Sequence, residues 1–398
     1  MRSLRFCFFV LALLSCPLLT FAASNHPKIL IIYDMEGVSG VSHYEMLWVE
    51  RPDEYAKGRE FLTSDVNAAI RGLAAGGAGP IWVQDGHGSG NNKEPDLLVE
   101  KMDSHAKFDF REHDFDPYNT GLDGSIDAIV CIGMHARANT QGFMAHTVTD
   151  RISYKINGVE FTETHIVALS AARWGIPVIM VSGDQVLRDE LKPDFPELEY
   201  AQVKKAINRA SAEPLPPAEV TRNIEEAAKR AMTKFLAGAH RPYYFPPPYD
   251  FQLGFQNWQQ ADGAATAPGV LRDGDLGVRY QTATFIDGYK LSIDALRRSS
   301  DAVQVLVRIL SQDPAGKKYL DQLSDTFWTR WLTPDKAPAY MQPVPSLRQR
   351  PASTATTSRS WHKALGLYLS TQRCRIKSRR ENWSRPCRFN VFVCLHPC

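Results

Sequence analysis

The sequence predicts an α/β fold: a mostly parallel sheet flanked by helices, with a second, smaller α+β subdomain. Three observations predict it. Short apolar runs rich in β-branched residues recur through the first half of the chain, at 28–33, 80–84, 127–133 and 176–181. Each is nearly continuous rather than alternating, as expected for strands buried on both faces of a parallel sheet. Segments with helical spacing fall between them, and strand–helix alternation of this kind builds a parallel sheet. After a proline-rich stretch at 242–248 the pattern changes to two further strand-like runs, 249–255 and 278–285, and a helical segment, 287–310.

Taken in order, the first segment stands apart from the fold. Arg2 and Arg5 precede an apolar run at 6–14, and the small residues Ala22, Ala23 and Ser24 follow. That is the pattern of a secretory signal over 1–23. The run is short for a spanning helix and Pro17 interrupts it, so cleavage rather than stable membrane insertion is expected. The first strand, 28–33, leads to a helix over 53–74. Its apolar positions are Phe61, Leu62, Val66, Ala69, Ile70 and Leu73, and Gly76 and Gly77 close it. The strands at 80–84 and 127–133 come next. A helix over 163–174 ends at Gly175 and Pro177 before the fourth strand. Residues 188–237 read as largely helical, and the proline-rich stretch marks a junction. The expected organisation is an α/β domain over 24–241, a smaller subdomain with helices over 242–343, and a tail over 344–398.

The tail differs in kind. Between Arg348 and Arg388 eleven cations stand against one acid, Glu381. The remainder, signal set aside, is net acidic, so no nucleic-acid partner is expected. Of seven cysteines, Cys7 and Cys16 lie in the signal and Cys374, Cys387, Cys394 and Cys398 in the tail. Cys131 is alone in the body, which therefore forms no internal disulfide and depends on its core. The tail reads as disordered or as an aberrant gene end; a basic tether or a cysteine cluster are the competing readings.

The chemistry lies where the strands end. The first runs into Asp34-Met35-Glu36-Gly37, the second into Asp85-Gly86-His87-Gly88, the third into His135-Ala136-Arg137. In open parallel sheets the ligand site lies beyond the carboxyl ends of the strands. Three separate segments thus deliver carboxylates and two histidines to one rim. Nitrogen and carboxylate oxygen without thiolate suit a catalytic zinc or a related divalent ion. Several carboxylates around two histidines suit a pair of metals sharing a ligand. Taken singly, each piece has a plainer reading: a turn or cap aspartate, a loop imidazole, a histidine near a helix start.

The same residues carry a resemblance. Asp34-Met35-Glu36-Gly37-Val38-Ser39-Gly40, Asp85-Gly86-His87, Gly133-Met134-His135-Ala136-Arg137-Ala138, His146 within Met144-Ala145-His146-Thr147, Asn157-Gly158 followed by Glu163, and Ser182-Gly183-Asp184 stand in the order of the DppA-like D-aminopeptidase family of zinc metallopeptidases. The resemblance runs over about 27–310. It implies two zinc ions per subunit, a homo-oligomeric ring, typically a decamer, and a short peptide as substrate. It further implies that Asp34 bridges the ions, that Glu36 and His87 complete one site and His135 and Glu163 the other, and that His146 is the catalytic histidine. Glu160 is a rival for the place of Glu163, because 157–163 departs from the family in its middle. Asp184 is either an orienting group or a turn residue. Arg137 either binds a substrate carboxylate or pairs with a structural acid.

The expected activity is removal of an N-terminal residue, D-configured as in D-Ala-D-Ala, by metal-activated water, in a periplasmic or secreted setting. The alternatives are a metal-dependent phosphohydrolase or nucleoside hydrolase, whose chemistries also use acidic strand ends, and a non-catalytic exported protein that binds metal or peptide at the same rim.

Overall fold

The computed structural model describes residues 26–332, apart from 50, 91–93, 111–115, 117, 120, 150–151 and 313. The expected signal and basic tail lie outside the described residues. In chain order the strands are β1 Ile29–Tyr33, β2 Ile81–Asp85, β3 Ala106–Phe108, β4 Ala128–Ile132, β5 Ser153–Ile156, β6 Val159–Glu160, β7 Val178–Gly183, β8 Glu199–Gln202, β9 Lys204–Asn208, β10 Ser211–Pro214, β11 Tyr249–Gly254, β12 Leu271–Asp273 and β13 Gly277–Thr282. The helices are α1 Pro52–Ala75, α2 Glu163–Ala172, α3 Gln185–Leu191, α4 Pro217–Leu236, α5 Trp258–Ala264, α6 Phe285–Leu310 and α7 Pro314–Leu332. Among them none is long and apolar enough to cross a membrane.

Six strands form one sheet in the order β3-β2-β1-β4-β7-β8, with every neighbouring pair parallel. Successive side chains of a strand point to opposite faces, and β1 divides its residues accordingly. Ile29, Ile31 and Tyr33 enter a core shared with α1 and α4. Leu30 and Ile32 enter a second core shared with α2 and the antiparallel sheet. That sheet has the order β12-β13-β11-β5-β6 and buries Tyr154, Phe251, Leu253 and Val278 on its inner face. It takes β5 and β6 from before the proline-rich stretch and the other three strands from after it.

The α/β class, the four main strands and the helices after the first and third of them are as the sequence predicts. The reading of 188–237 as largely helical is corrected. Helix is confined to α3 and α4, and β8, β9 and β10 occupy 199–214. Charge at buried positions hid the two-residue alternation. Glu199 of β8 is buried and lies 2.8 Å from both Arg230 and Lys234 of α4. Lys204 of β9 is fully buried and donates 2.6 Å hydrogen bonds to the Glu36 and Val41 carbonyls. The helix expected from 287 starts at Phe285, where the Thr284 hydroxyl accepts from the Asp287 N–H as an N-cap.

The order of the sheet positions the site. Chain progression reverses direction at β1, with β2 on one side and β4 on the other, and ligand sites of open α/β sheets form at such a reversal. Two glycines let the β1 and β4 loops touch there. A Cβ on Gly37 would stand 1.9 Å from the Met134 carbonyl oxygen. Gly133 has φ +76°, and a Cβ there would stand 2.3 Å from the Asp34 carbonyl oxygen.

Candidate metal centre

Asp34, Glu36, His87 and His135, singled out from the strand ends, meet at this crossing; Arg137 instead lies between Glu160 and Glu190. Asp34 follows β1 directly and is 3% exposed. Its two carboxylate oxygens face different histidines: Oδ1 lies 3.0 Å from His87 Nδ1, and Oδ2 lies 3.2 Å from His135 Nε2. Glu36 Oε2 lies 3.1 Å from the same His87 nitrogen. Glu163 opens α2, and its Oε2 lies 3.1 Å from His135 Nε2. Two clusters result, one of Asp34, Glu36 and His87, the other of His135, His146 and Glu163. Within each, one ligand atom per residue lies within 4.8 Å of the others. Asp34 touches both.

Each histidine has its far nitrogen engaged. His135 Nδ1 donates to the Ala136 carbonyl at 3.0 Å, which leaves Nε2 to face the carboxylates. The Ser89 hydroxyl donates to the Leu47 carbonyl, so its oxygen accepts from His87 Nε2 at 2.8 Å and Nδ1 is left to face the carboxylates. His146 Nδ1 donates to the Met144 carbonyl at 2.8 Å, and its Nε2 lies 3.7 Å from Glu163 Oε1. The His146 ring stacks on His135, centroids 4.0 Å apart. Backbone strain brackets His146, since Met144 has φ +54° and the β-branched Val148 φ +64°. The Val148 N–H donates to Glu163 Oε1 at 2.7 Å, which ties the loop to α2. Such strain persists only where surrounding contacts hold it, and it gathers at functional sites.

The electrostatics call for positive charge. Burial alone would raise the Glu36 carboxyl, but His87, with His146 and His135, outweighs it and holds the group well below the usual carboxylate range. Glu163 is lowered in the same way against its burial, mainly by His135. Burial opposes protonation of His87 and His135; the carboxylates beside them outweigh it and raise both well above the ordinary imidazole value. Glu36 Oε2 and His135 Nε2 are buried, and neither makes a hydrogen bond among the described residues. Three buried carboxylates converging on the free-facing nitrogens of two imidazoles fit divalent cations with nitrogen and oxygen preference, which would take the place of the protons.

The site opens into a cavity of about 590 Å³. Asp34, Glu36, His87, His146 and Glu163 line its polar side. Glu160 lies elsewhere, 3.5 Å from Lys155 and 3.6 Å from Arg137. Asp184 caps α3 by accepting from Val186 and Leu187, and it also accepts from the Phe143 N–H, which braces the loop that carries His146.

A family model of D-aminopeptidases, peptidase M55, matches residues 28–292. The chain belongs to this family. It is an aminopeptidase. The D-aminopeptidase of Bacillus subtilis (strain 168) is 29% identical over 267 residues, which are 66% of this chain and 94% of that protein. Among solved structures, the Zn-dependent D-aminopeptidase DppA from Bacillus subtilis, described as a self-compartmentalizing protease, superposes with a TM-score of 0.63 at 27% identity. That match covers 68% of this chain and 97% of the other.

Sequence reasoning missed several residues around this candidate centre. Tyr118 lines the cavity with its hydroxyl against Glu163; its segment carries no periodic signal. Ser89 fixes the His87 ring through a hydroxyl that reads as one more loop serine. Lys204 holds the Glu36 carbonyl from 168 residues away, a distance no local pattern reveals.

Proposed function

We propose that the protein is a two-zinc aminopeptidase that releases the N-terminal residue of short peptides, with a D-residue at that end. The carrying observation is Asp34, whose two oxygens face the histidines of two adjacent clusters. The residues that would hold the metals are Asp34 in common, Glu36 and His87 on one side, and His135 and Glu163 on the other. Zinc, when bound, supplies a Lewis acid that lowers the pKa of water and polarises a carbonyl. The chain's own residues do the rest. Ser89, Ala136 and Met144 fix the ring orientations, as second partners of ligating and catalytic histidines do. His146 is left out of the ligand set. With Nδ1 committed to Met144, its Nε2 is the position that carries a proton to the leaving amine or steadies the developing oxyanion.

The DppA relative is zinc-dependent and self-compartmentalizing by its description, and this supports zinc and a homo-oligomeric enclosure here. The signal-like 1–23 supports export, so peptides reaching a periplasmic or extracellular space are the expected substrates. Chelation tests the metal requirement. The account expects hydrolysis of D-Ala-D-Ala to stop on treatment with a chelator and to return as zinc is restored to two equivalents per chain. Undiminished activity in the metal-free protein would refute it.

A further inference from the structure

The family match ends at residue 292, whereas α7 begins at Pro314. This later helix nevertheless reaches the catalytic cavity. Trp328 lines it together with Leu47, Trp48, Val49 and Ile293, in the same cavity as the carboxylates and histidines. The contact is built rather than incidental. The Tyr44 ring stacks on Trp328 with centroids 5.3 Å apart and planes at 15°. Trp48 meets it edge-on at 5.2 Å and 71°. Asp325, one helical turn before Trp328, pairs with Arg51 and accepts from the Tyr44 hydroxyl at 3.3 Å. Trp328 and Leu332 are each 8% exposed and join the core on the α1 side of the main sheet. The turn that receives them, Tyr44–Leu47, follows directly on the loop that carries Asp34 and Glu36.

We propose that α7 completes an apolar, aromatic subsite that selects peptides with a bulky apolar side chain, Trp328 being its specificity-determining residue. This rests on the aminopeptidase reading of the metal centre. A wall of two indoles and three aliphatic side chains offers a small methyl group little contact and an aromatic ring much, through area removed from water and through ring–ring geometry. The cavity volume lies in the range of sites that enclose a small ligand. A subsite completed by Trp328, from a segment beyond the family match, gives this chain a side-chain preference set apart from the chemistry it shares with the family.

The test compares kcat/KM for D-Ala-D-Ala, D-Phe-D-Ala and D-Ala-D-Phe in zinc-loaded full-length protein and in its Trp328→Ala and Trp328→Phe variants. The wild type is expected to prefer at least one phenylalanine peptide over D-Ala-D-Ala. In Trp328→Ala that preference falls about tenfold, chiefly through KM, as expected for loss of binding contact; Trp328→Phe keeps most of it. An unchanged ratio in Trp328→Ala, whether all three rates fall together or none falls, overturns the subsite and leaves the metal reading standing. Hydrolysis of none of the three peptides by the zinc-loaded wild type overturns both.

Discussion

His146 separates two accounts of the site. It sits within ligand distance of His135 and Glu163, yet its ring stacks on His135 and its Nε2 is 3.7 Å from the nearest Glu163 oxygen, longer than the contacts of the other histidines. A proton-transferring role predicts that His146→Ala loses about 10²-fold or more in kcat while keeping two zinc per chain by elemental analysis. Loss of one zinc instead would make His146 a ligand. At this scale much of the site is readable from sequence, because Asp34, Glu36, His87 and His135 each follow an apolar strand and the sheet brings such ends together. His146 and Glu163 are readable only through the resemblance, since neither follows a strand of the main sheet. Tyr118 and Lys204 are legible in neither way, being brought in by packing between distant segments.

The loop from Asp34 to Val41 is the element on which the centre depends, and it is braced on two sides. Lys204 holds its carbonyls, and the buried Asp65 of α1 accepts from the Ser39 N–H and hydroxyl, both at 2.9 Å. Burial, opposed by those two bonds and by Lys204, pushes the Asp65 carboxyl up to about 6, against about 3.9 for a free aspartate. The native state therefore binds more protons than the unfolded chain between these values. The contribution of Asp65 to stability is fully present below about 4 and is lost as pH rises through about 6. The stability gap between the wild type and Asp65→Asn should accordingly narrow between about pH 4.5 and about pH 7.5 in urea titrations. A constant gap would contradict the assignment. Element boundaries show what a sequence conceals: β1, β4 and α1 announce themselves through unbroken apolar runs or amphipathic spacing, whereas β8 and β9 do not, because Glu199 and Lys204 stand where apolar residues are expected.

At the scale of the molecule, two cores sandwich one parallel sheet, and the antiparallel sheet covers one of its sides. The fold class is legible because both cores draw on the same strands, whose unbroken apolar character advertises burial on two faces. The placement of β5 and β6 with β11 is not, since that pairing joins segments about a hundred residues apart in a register no local pattern encodes. The reach of α7 to the cavity is hidden for the same reason. The candidate metal centre draws the molecule together, its proposed ligands coming from the ends of β1, β2 and β4 and the start of α2. The most direct test of what it does is the release of free alanine from D-Ala-D-Ala and L-Ala-L-Ala, assayed side by side with the same zinc-loaded preparation. The account predicts cleavage of the D-dipeptide and little or none of the L-dipeptide. Cleavage of neither, with zinc bound, would contradict it.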